Sequence, residues 1–207
     1  MDATRFPPEF FRRLDESNDR EFYREPRLVA HIDDATIAAL TQVYREVLAP
    51  GMAVLDLMSS WISHLPPELP LERVAGLGMN RTELEHNTRL TDLAVHDLNA
   101  VPELPYPDET FDAVLNAVSI QYLTRPVEVY AAVRRVLKPN GLAVVATSHR
   151  CFPNKAVMAW HVADPTQRAH LIQLYLAQAG GFGPVTLADR SPGNADPLWV
   201  MMARRAA

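Results

Sequence analysis

The stretch "FDAVLNAVSIQYLTRPVEVYAAVRRVLKPNGLAVVATS", Phe111 to Ser148, holds three elements in succession. "FDAVLNAV" is apolar almost throughout, as a strand buried on both faces of a sheet must be. "RPVEVYAAVRRVL" places Tyr130, Val133 and Leu137 on one helical face, with Pro126 in the first turn and Glu128 favourable to the helix dipole. "KPNG" is a turn that hands over to the strand "LAVVATS". Strand, helix and strand in this order predict a parallel crossover and an α/β sheet covered by helices.

The same alternation extends outward. Upstream, "GMAVLDLM" and "ERVAGLG" read as two strands separated by about fifteen residues, within the range of a βαβ crossover. "RTELEHNT" starts a helix and "LAVHDL" is a third strand. Before them "DDATIAALTQVYREVLAP" is an amphipathic helix, with Asp33 or Asp34 as N-cap and Pro50 as its stop. Downstream, "DPTQRAHLIQLYLAQAGG" is a helix opened by Asp164 and Pro165 and closed by Gly180 and Gly181. "PVTLAD" and "PLWVMMAR" follow without a helix between them, which predicts an antiparallel hairpin at the sheet edge. The fold class is α/β, doubly wound and mainly parallel, with a ligand at the carboxyl ends of the central strands.

At 207 residues and 48% hydrophobic content, the chain predicts one domain. Residues 1–32 read as an irregular arm packed by its aromatics, and residues 50–204 as the core. Acidic residues outnumber basic ones, 25 to 20, and no Lys/Arg run forms a stripe, so nucleic acid is not an expected partner. A lone cysteine, Cys151, allows no internal disulfide and leaves a zinc site short of thiolates. No metal is expected, and the compartment is a reducing one. The N-terminus has no apolar h-region and no run of eighteen apolar residues occurs, so no signal peptide, membrane span or membrane partner is expected and the location is read as cytoplasmic.

In its order of elements the chain resembles the class I S-adenosylmethionine-dependent methyltransferases, most of all the type 11 group. The passage "VHDLNAVPELPYPDETFDAVLNAVSIQYLTRPVEVYAAVRRVLKPNGLAVV", residues 95–145, carries five of that group's features in order. "FPPEFFRRLDES", "FYREPRLVAHID", "DLMSSWISHLP", "SIQYL" and "GGF" resemble a little-studied bacterial and plant subfamily of methyltransferase-like proteins. The resemblance implies a seven-stranded sheet of order 3-2-1-4-5-7-6 with the last strand antiparallel, and S-adenosyl-L-methionine as cofactor.

Carried over residue by residue, Asp97 takes the adenine amino group and Leu98 follows with a backbone amide. Asp56 holds the amino acid part of the cofactor, and Asn116 and Ala117 lie beneath the methionine portion. Two positions depart from the family. Its three-glycine turn is here Met58, Ser60 and Ile62, whose Cβ atoms disfavour positive φ and hold a ligand off the backbone. The acidic residue that grips the ribose is replaced by Gly78, followed by Met79 and by Asn80, which offers a polar contact without charge. Ser59, Ser60 and Ser63 offer hydroxyls, and their amides face an anion if a helix starts there, although Pro66 and Pro67 end any such helix within about two turns.

The family uses N-terminal arms as lids, which places Tyr23, Arg27 and His31 at the site, with Arg27 pairing with a carboxylate of cofactor or substrate. Candidate general bases are His31, His64, Tyr122 and His149. Arg150 and Trp160, in "SHRCFPNKAVMAW", wall the acceptor pocket. "NAVS" after the fourth strand is not the D/N-P-P-Y/F of enzymes that methylate bases or glutamine amides, and without an inserted substrate domain the acceptor is a small molecule. The reading is a methyltransferase with an altered cofactor loop. The alternative is a non-catalytic protein of the same fold acting as a binding or regulatory module. A nicotinamide dehydrogenase needs G-x-G-x-x-G after the first strand, which is missing.

Overall fold

A computed structural model describes residues 6–207. Seven strands form one sheet: β1 Ala53–Leu57, β2 Arg73–Gly78, β3 Asp92–Val95, β4 Phe111–Ala117, β5 Leu137–Thr147, β6 Thr186–Asp189 and β7 Trp199–Arg204. Their order is β3-β2-β1-β4-β5-β7-β6. The first five run parallel, and β7 lies antiparallel between β5 and the edge strand β6, as expected. Residues 138–141, the "KPNG" turn, bulge from the start of β5, where Phe111 pairs with Leu137 but Ala113 with Leu142.

Side chains alternate between the two faces of each strand, and both faces are buried. Val54, Val74, Leu115 and Val144 pack against Leu40, Val43 and Tyr44 of α2 (Asp34–Val47). Leu55, Leu57, Leu77 and Val145 face the opposite layer, built by α4 (Pro126–Val136) and α6 (Pro165–Ala179). Asp33 caps α2, its Oδ1 accepting from the Thr36 amide at 2.9 Å. Asp164 and Gln167 form a capping box on α6, and Gly180 ends it at φ 71°.

The β1–β2 connection differs from a helical crossover. Residues 58–72 contain no helix. Pro66, Pro67 and Pro70 withhold three amide donors, and Met58 and His64 sit at φ 59° and 54°, outside the helical region. Leu65, Leu69 and Leu71 cover the sheet beside α2 in place of a helix. Polar side chains hold this irregular backbone: Asn87 Nδ2 donates to the Ser60 carbonyl at 3.0 Å, and Thr41 Oγ1 to the His64 carbonyl at 2.9 Å.

The arm contains a 3-10 turn, Pro8–Phe11, and the short helix α1, Asp19–Phe22. Phe6 and Phe11 pack on Tyr175 of α6, with ring centroids 5.2 and 6.1 Å away. Beyond α1 the chain crosses above the carboxyl ends of the strands before entering α2. The remaining helices are α3, Arg81–His86, and α5, Met158–Val162. Among the described residues no helix is long and apolar enough to cross a membrane.

Candidate active site

A cavity of about 330 Å³ opens over the carboxyl ends of β1, β2 and β4, where an open α/β sheet places ligands. Asp56, Met58, Ser59 and Ala117 form its floor. Gly78, Met79, Asn80, Asp97 and Leu98 line one end, while Tyr122, Arg150, Cys151 and Phe152 line the other. Tyr23, Arg27 and His31 close it from the arm side. Most of the residues singled out from the sequence thus meet in one place.

After β1 the first family glycine position is Met58, and its backbone keeps the left-handed conformation that glycine favours. A Cβ disfavours this conformation, as expected, and packing of the Met58 side chain against the core offsets a strain of about 1–2 kcal/mol. No helix begins at the serines, so their amides form no helical anion site. Their hydroxyls turn to carboxylates instead: Ser59 Oγ and Ser63 Oγ each donate to Asp56 Oδ2 at 2.6 Å, and Ser60 Oγ donates to Glu83 Oε2 at 2.7 Å.

Asp56 is almost completely buried, and burial pushes its carboxyl up to about 6, against the opposing effect of the two serine hydroxyls. The folded protein therefore holds this proton more tightly than the unfolded chain, and the associated stability is lost as pH rises from the ordinary carboxylate range through about 6. Asp56→Asn removes the ionisation while keeping an acceptor for the serines. The variant is expected to gain on the order of 1–3 kcal/mol over the wild type at pH 8 and little at pH 4 in urea unfolding. Equal stability differences at both pH values would refute the assignment.

Gly78 meets its neighbours through backbone approach: a Cβ there would lie 2.2 Å from the Ser59 carbonyl oxygen. The closeness serves the β1 loop. Asn80 is occupied on both sides. Its Oδ1 accepts from the Glu83 amide at 3.1 Å, capping α3, and its Nδ2 donates to the carbonyls of Tyr23 and Arg24 at 2.9 and 3.0 Å. Glu83, missing from the sequence reading, lines the cavity and accepts from the Arg27 amide at 2.7 Å. An Asn cap followed three residues later by Glu was the available signal.

Asp97 Oδ1 accepts from the amides of Asn99 and Ala100 at 3.0 and 3.2 Å, so this oxygen turns the loop after β3. Among the described residues no partner engages Oδ2. Buried Leu98 supplies apolar surface beside it.

At the far end, Phe152 is the centre of an aromatic cluster. Tyr122 stacks on it at 5.8 Å, and Phe22 and His31 meet it edge-on at 5.7 and 5.4 Å. Burial pushes Tyr122 up to about 12, and its hydroxyl accepts from the Phe152 amide at 2.8 Å, an arrangement that makes it a structural hydroxyl. His64 also lines the cavity; burial drives its imidazole down to about 4, so it is neutral. Arg27 donates to the Phe22 carbonyl at 2.9 Å, and its guanidinium lies over the rings of Phe22 and Phe152.

Three sequence candidates lie elsewhere. His149 is outside the cavity lining, beside Asp196 at 3.3 Å. Asn116 is buried behind Ala117 and accepts from Ser119 Oγ at 3.2 Å. Trp160 belongs to the core, with Arg168 over its ring. The period of two in β4 explains Asn116: adjacent Ala117 points the other way. Arg150 does reach the cavity, with Nε 3.0 Å from both oxygens of Asp196. Among the described residues no cluster of His, Cys, Asp and Glu is arranged to hold a metal.

Residues 62–145 match the family described as "Methyltransferase domain". The matched segment begins at Ile62, the last position of the glycine-free turn. No curated protein matches. Among solved structures, the [4+2]-cyclase SpnF superposes with a TM-score of 0.65 at 17% identity, over 91% of this chain and 92% of its own. An S-adenosylmethionine-dependent methyltransferase from Mesorhizobium loti gives 0.57 at 17% identity, over 81% and 98%. Phosphoethanolamine N-methyltransferase 2 from Haemonchus contortus, in complex with S-adenosyl-L-methionine, gives 0.59 at 14% identity, over 82% and 52%. These identities speak to the fold.

Proposed function

We propose that this chain, a type 11-like class I methyltransferase-fold protein, binds S-adenosyl-L-methionine in the cavity above β1, β2 and β4 and transfers its methyl group to a small molecule. The observation that carries the reading is the open Oδ2 of Asp97 at one end of a cavity whose floor is Asp56 and Ala117. A carboxylate acceptor beside apolar Leu98 suits an adenine ring and its amino group. Asp56 supplies negative charge near the position of the cofactor's cationic amino acid part. The glycine-free loop is the altered element: Met58 retains the left-handed turn, and Ser59, Ser60 and Ser63 fasten the loop to two carboxylates. The ribose has no carboxylate at Gly78, and Asn80 is spent on the arm.

These same features favour a second reading, a protein that keeps the fold and serves as a binding or regulatory module. One neighbour of this fold is described as a cyclase, so the architecture leaves the chemistry open.

Isothermal titration with S-adenosylmethionine and S-adenosylhomocysteine, with NAD and ATP as controls, separates the two. Micromolar binding of the adenosyl ligands is expected, weakened roughly 10- to 100-fold by Asp97→Ala as a hydrogen bond to a charged group is lost. No heat from a folded protein would favour the second reading.

A further inference from the structure

Glu83 is a buried carboxylate without a counterion. It is 9% exposed, and its oxygens accept one hydrogen bond each, Oε1 from the Arg27 amide and Oε2 from Ser60 Oγ, both at 2.7 Å. Among the described residues no Lys, Arg or His side chain pairs with it, and the Arg27 guanidinium turns away to the Phe22 carbonyl and ring. An ionised carboxylate offers roughly four acceptor sites, so two donors leave about half of them open on a charge withdrawn from water.

Its direction points the same way. Glu83 is the third residue of α3, behind the Asn80 cap, where a glutamate commonly reaches back to the amide of the cap residue. Here the carboxylate faces the cavity instead, bonded to the arm and to the β1–β2 connection, with Gly78, Met79 and Asn80 lining the cavity beside it. The packing at Gly78 explains the arrangement. A Cβ at Gly78 would lie 2.2 Å from the Ser59 carbonyl oxygen and 3.2 Å from Leu84 Cδ2, in the residues adjacent to Ser60 and Glu83. The end of β2 has no room for a side chain of its own, and α3 brings a carboxylate to the same place.

We infer that Glu83 accepts the vicinal ribose hydroxyls of the adenosyl ligand, taking on from α3 a contact that β2 does not provide. The inference rests on the reading that the Gly78–Asp97 end takes the adenosyl group. A cis diol presents two donors side by side, which suits the open acceptor sites of one carboxylate. Because Glu83 also accepts from the Arg27 amide and from Ser60, one group then ties the ligand, the arm and the β1–β2 connection together.

Calorimetry on the full chain tests this with S-adenosylhomocysteine and its 2′-deoxy and 3′-deoxy analogues, on the wild type and on Glu83→Gln. The glutamine oxygen can still accept from the Arg27 amide, and its NH2 can donate to Ser60 Oγ, so the arm and the loop keep their ties. The wild type is expected to bind each deoxy analogue roughly 10- to 100-fold more weakly than the parent, as a hydrogen bond to a charged group is lost. Glu83→Gln is expected to weaken the parent by a similar factor and to bind all three ligands within about threefold of one another, since the two changes remove the same interaction. The wild-type comparison decides even where the variant does not fold. Deoxy analogues that bind the wild type as tightly as the parent would overturn the inference and leave the cofactor reading intact. So would a Glu83→Gln variant that weakens all three ligands by one common factor, the mark of a group that only holds the loop. No binding of the parent by the folded wild type would overturn both.

Discussion

Replacing Gly78 by alanine is expected to destabilise the protein by about 3 kcal/mol, the upper end of what overpacking usually costs. The added Cβ would stand 2.2 Å from the Ser59 carbonyl oxygen and 3.2 Å from Leu84 Cδ2. The first neighbour is backbone and cannot rotate away. It is held by the pairing of Leu57 with Leu77 and by the Ser59 amide, which donates to the Leu77 carbonyl at 2.8 Å. Relief requires the β1 loop to part from β2, which pulls Ser59 from Asp56 and opens the cavity floor. Urea unfolding reads the loss. Gly76→Ala is the control: its Cβ would meet Leu90 Cδ1 at 2.3 Å, the far end of a flexible side chain, so a smaller loss is expected. A Gly78→Ala variant within about 0.5 kcal/mol of wild type would show that the loop backbone yields freely.

Lys155→Met is expected to cost about 3–5 kcal/mol, the usual consequence of removing one partner from a buried ion pair. The Lys155 side chain is 0% exposed. Its Nζ lies 3.1 Å from Asp19 Oδ1 and 3.4 Å from Asp15 Oδ2, and it donates to the Ser17 carbonyl at 2.7 Å. A methionine fills the volume but leaves the buried Asp19 Oδ1 without this donor. Asp19 keeps Arg13, bound through both oxygens at 2.7 and 2.8 Å, and Asn99 at 2.9 Å, so the damage falls first on residues 15–17. The arm should then become the site of proteolytic nicking, with Arg12 and Arg20 as tryptic targets.

The same cluster sets an acid limit. Burial acts to raise the Asp19 carboxyl, but Asn99, Arg13 and Lys155 outweigh it and hold it below its ordinary value. A depressed folded pKa adds stability that is present above the ordinary carboxylate range and lost as pH falls through the folded value. Protection of the wild-type arm from pepsin should therefore fail only in strong acid, and in Lys155→Met at a higher pH. An arm equally protected in both would remove Lys155 from its role as anchor.

The cluster also illustrates why half of the site was illegible in the chain. Lys155 and Asp19 are distant in sequence, and neither spacing nor composition joins them. The same holds for Glu83, whose partners Arg27 and Ser60 come from two other segments. Asp56, Gly78, Asp97 and Ala117 were legible through the resemblance, and they meet because each ends a strand or follows one and parallel strands carry their ends to one edge. Asn116 and His149 missed because position next to a strand end does not decide which way a side chain points.

By itself, then, the order of apolar strands and amphipathic helices determined the mainly parallel sheet and the edge where a ligand belongs, since those follow from local periodicity and short right-handed connections, while the strand order was implied by the resemblance to the class I methyltransferases. Only the tertiary structure decided what became of the glycine-free turn. Packing holds Met58 in a left-handed conformation that its own residue type disfavours. Carboxylates brought from other elements take up the serine hydroxyls and the arm amide, because buried polar groups must find partners wherever the fold supplies them.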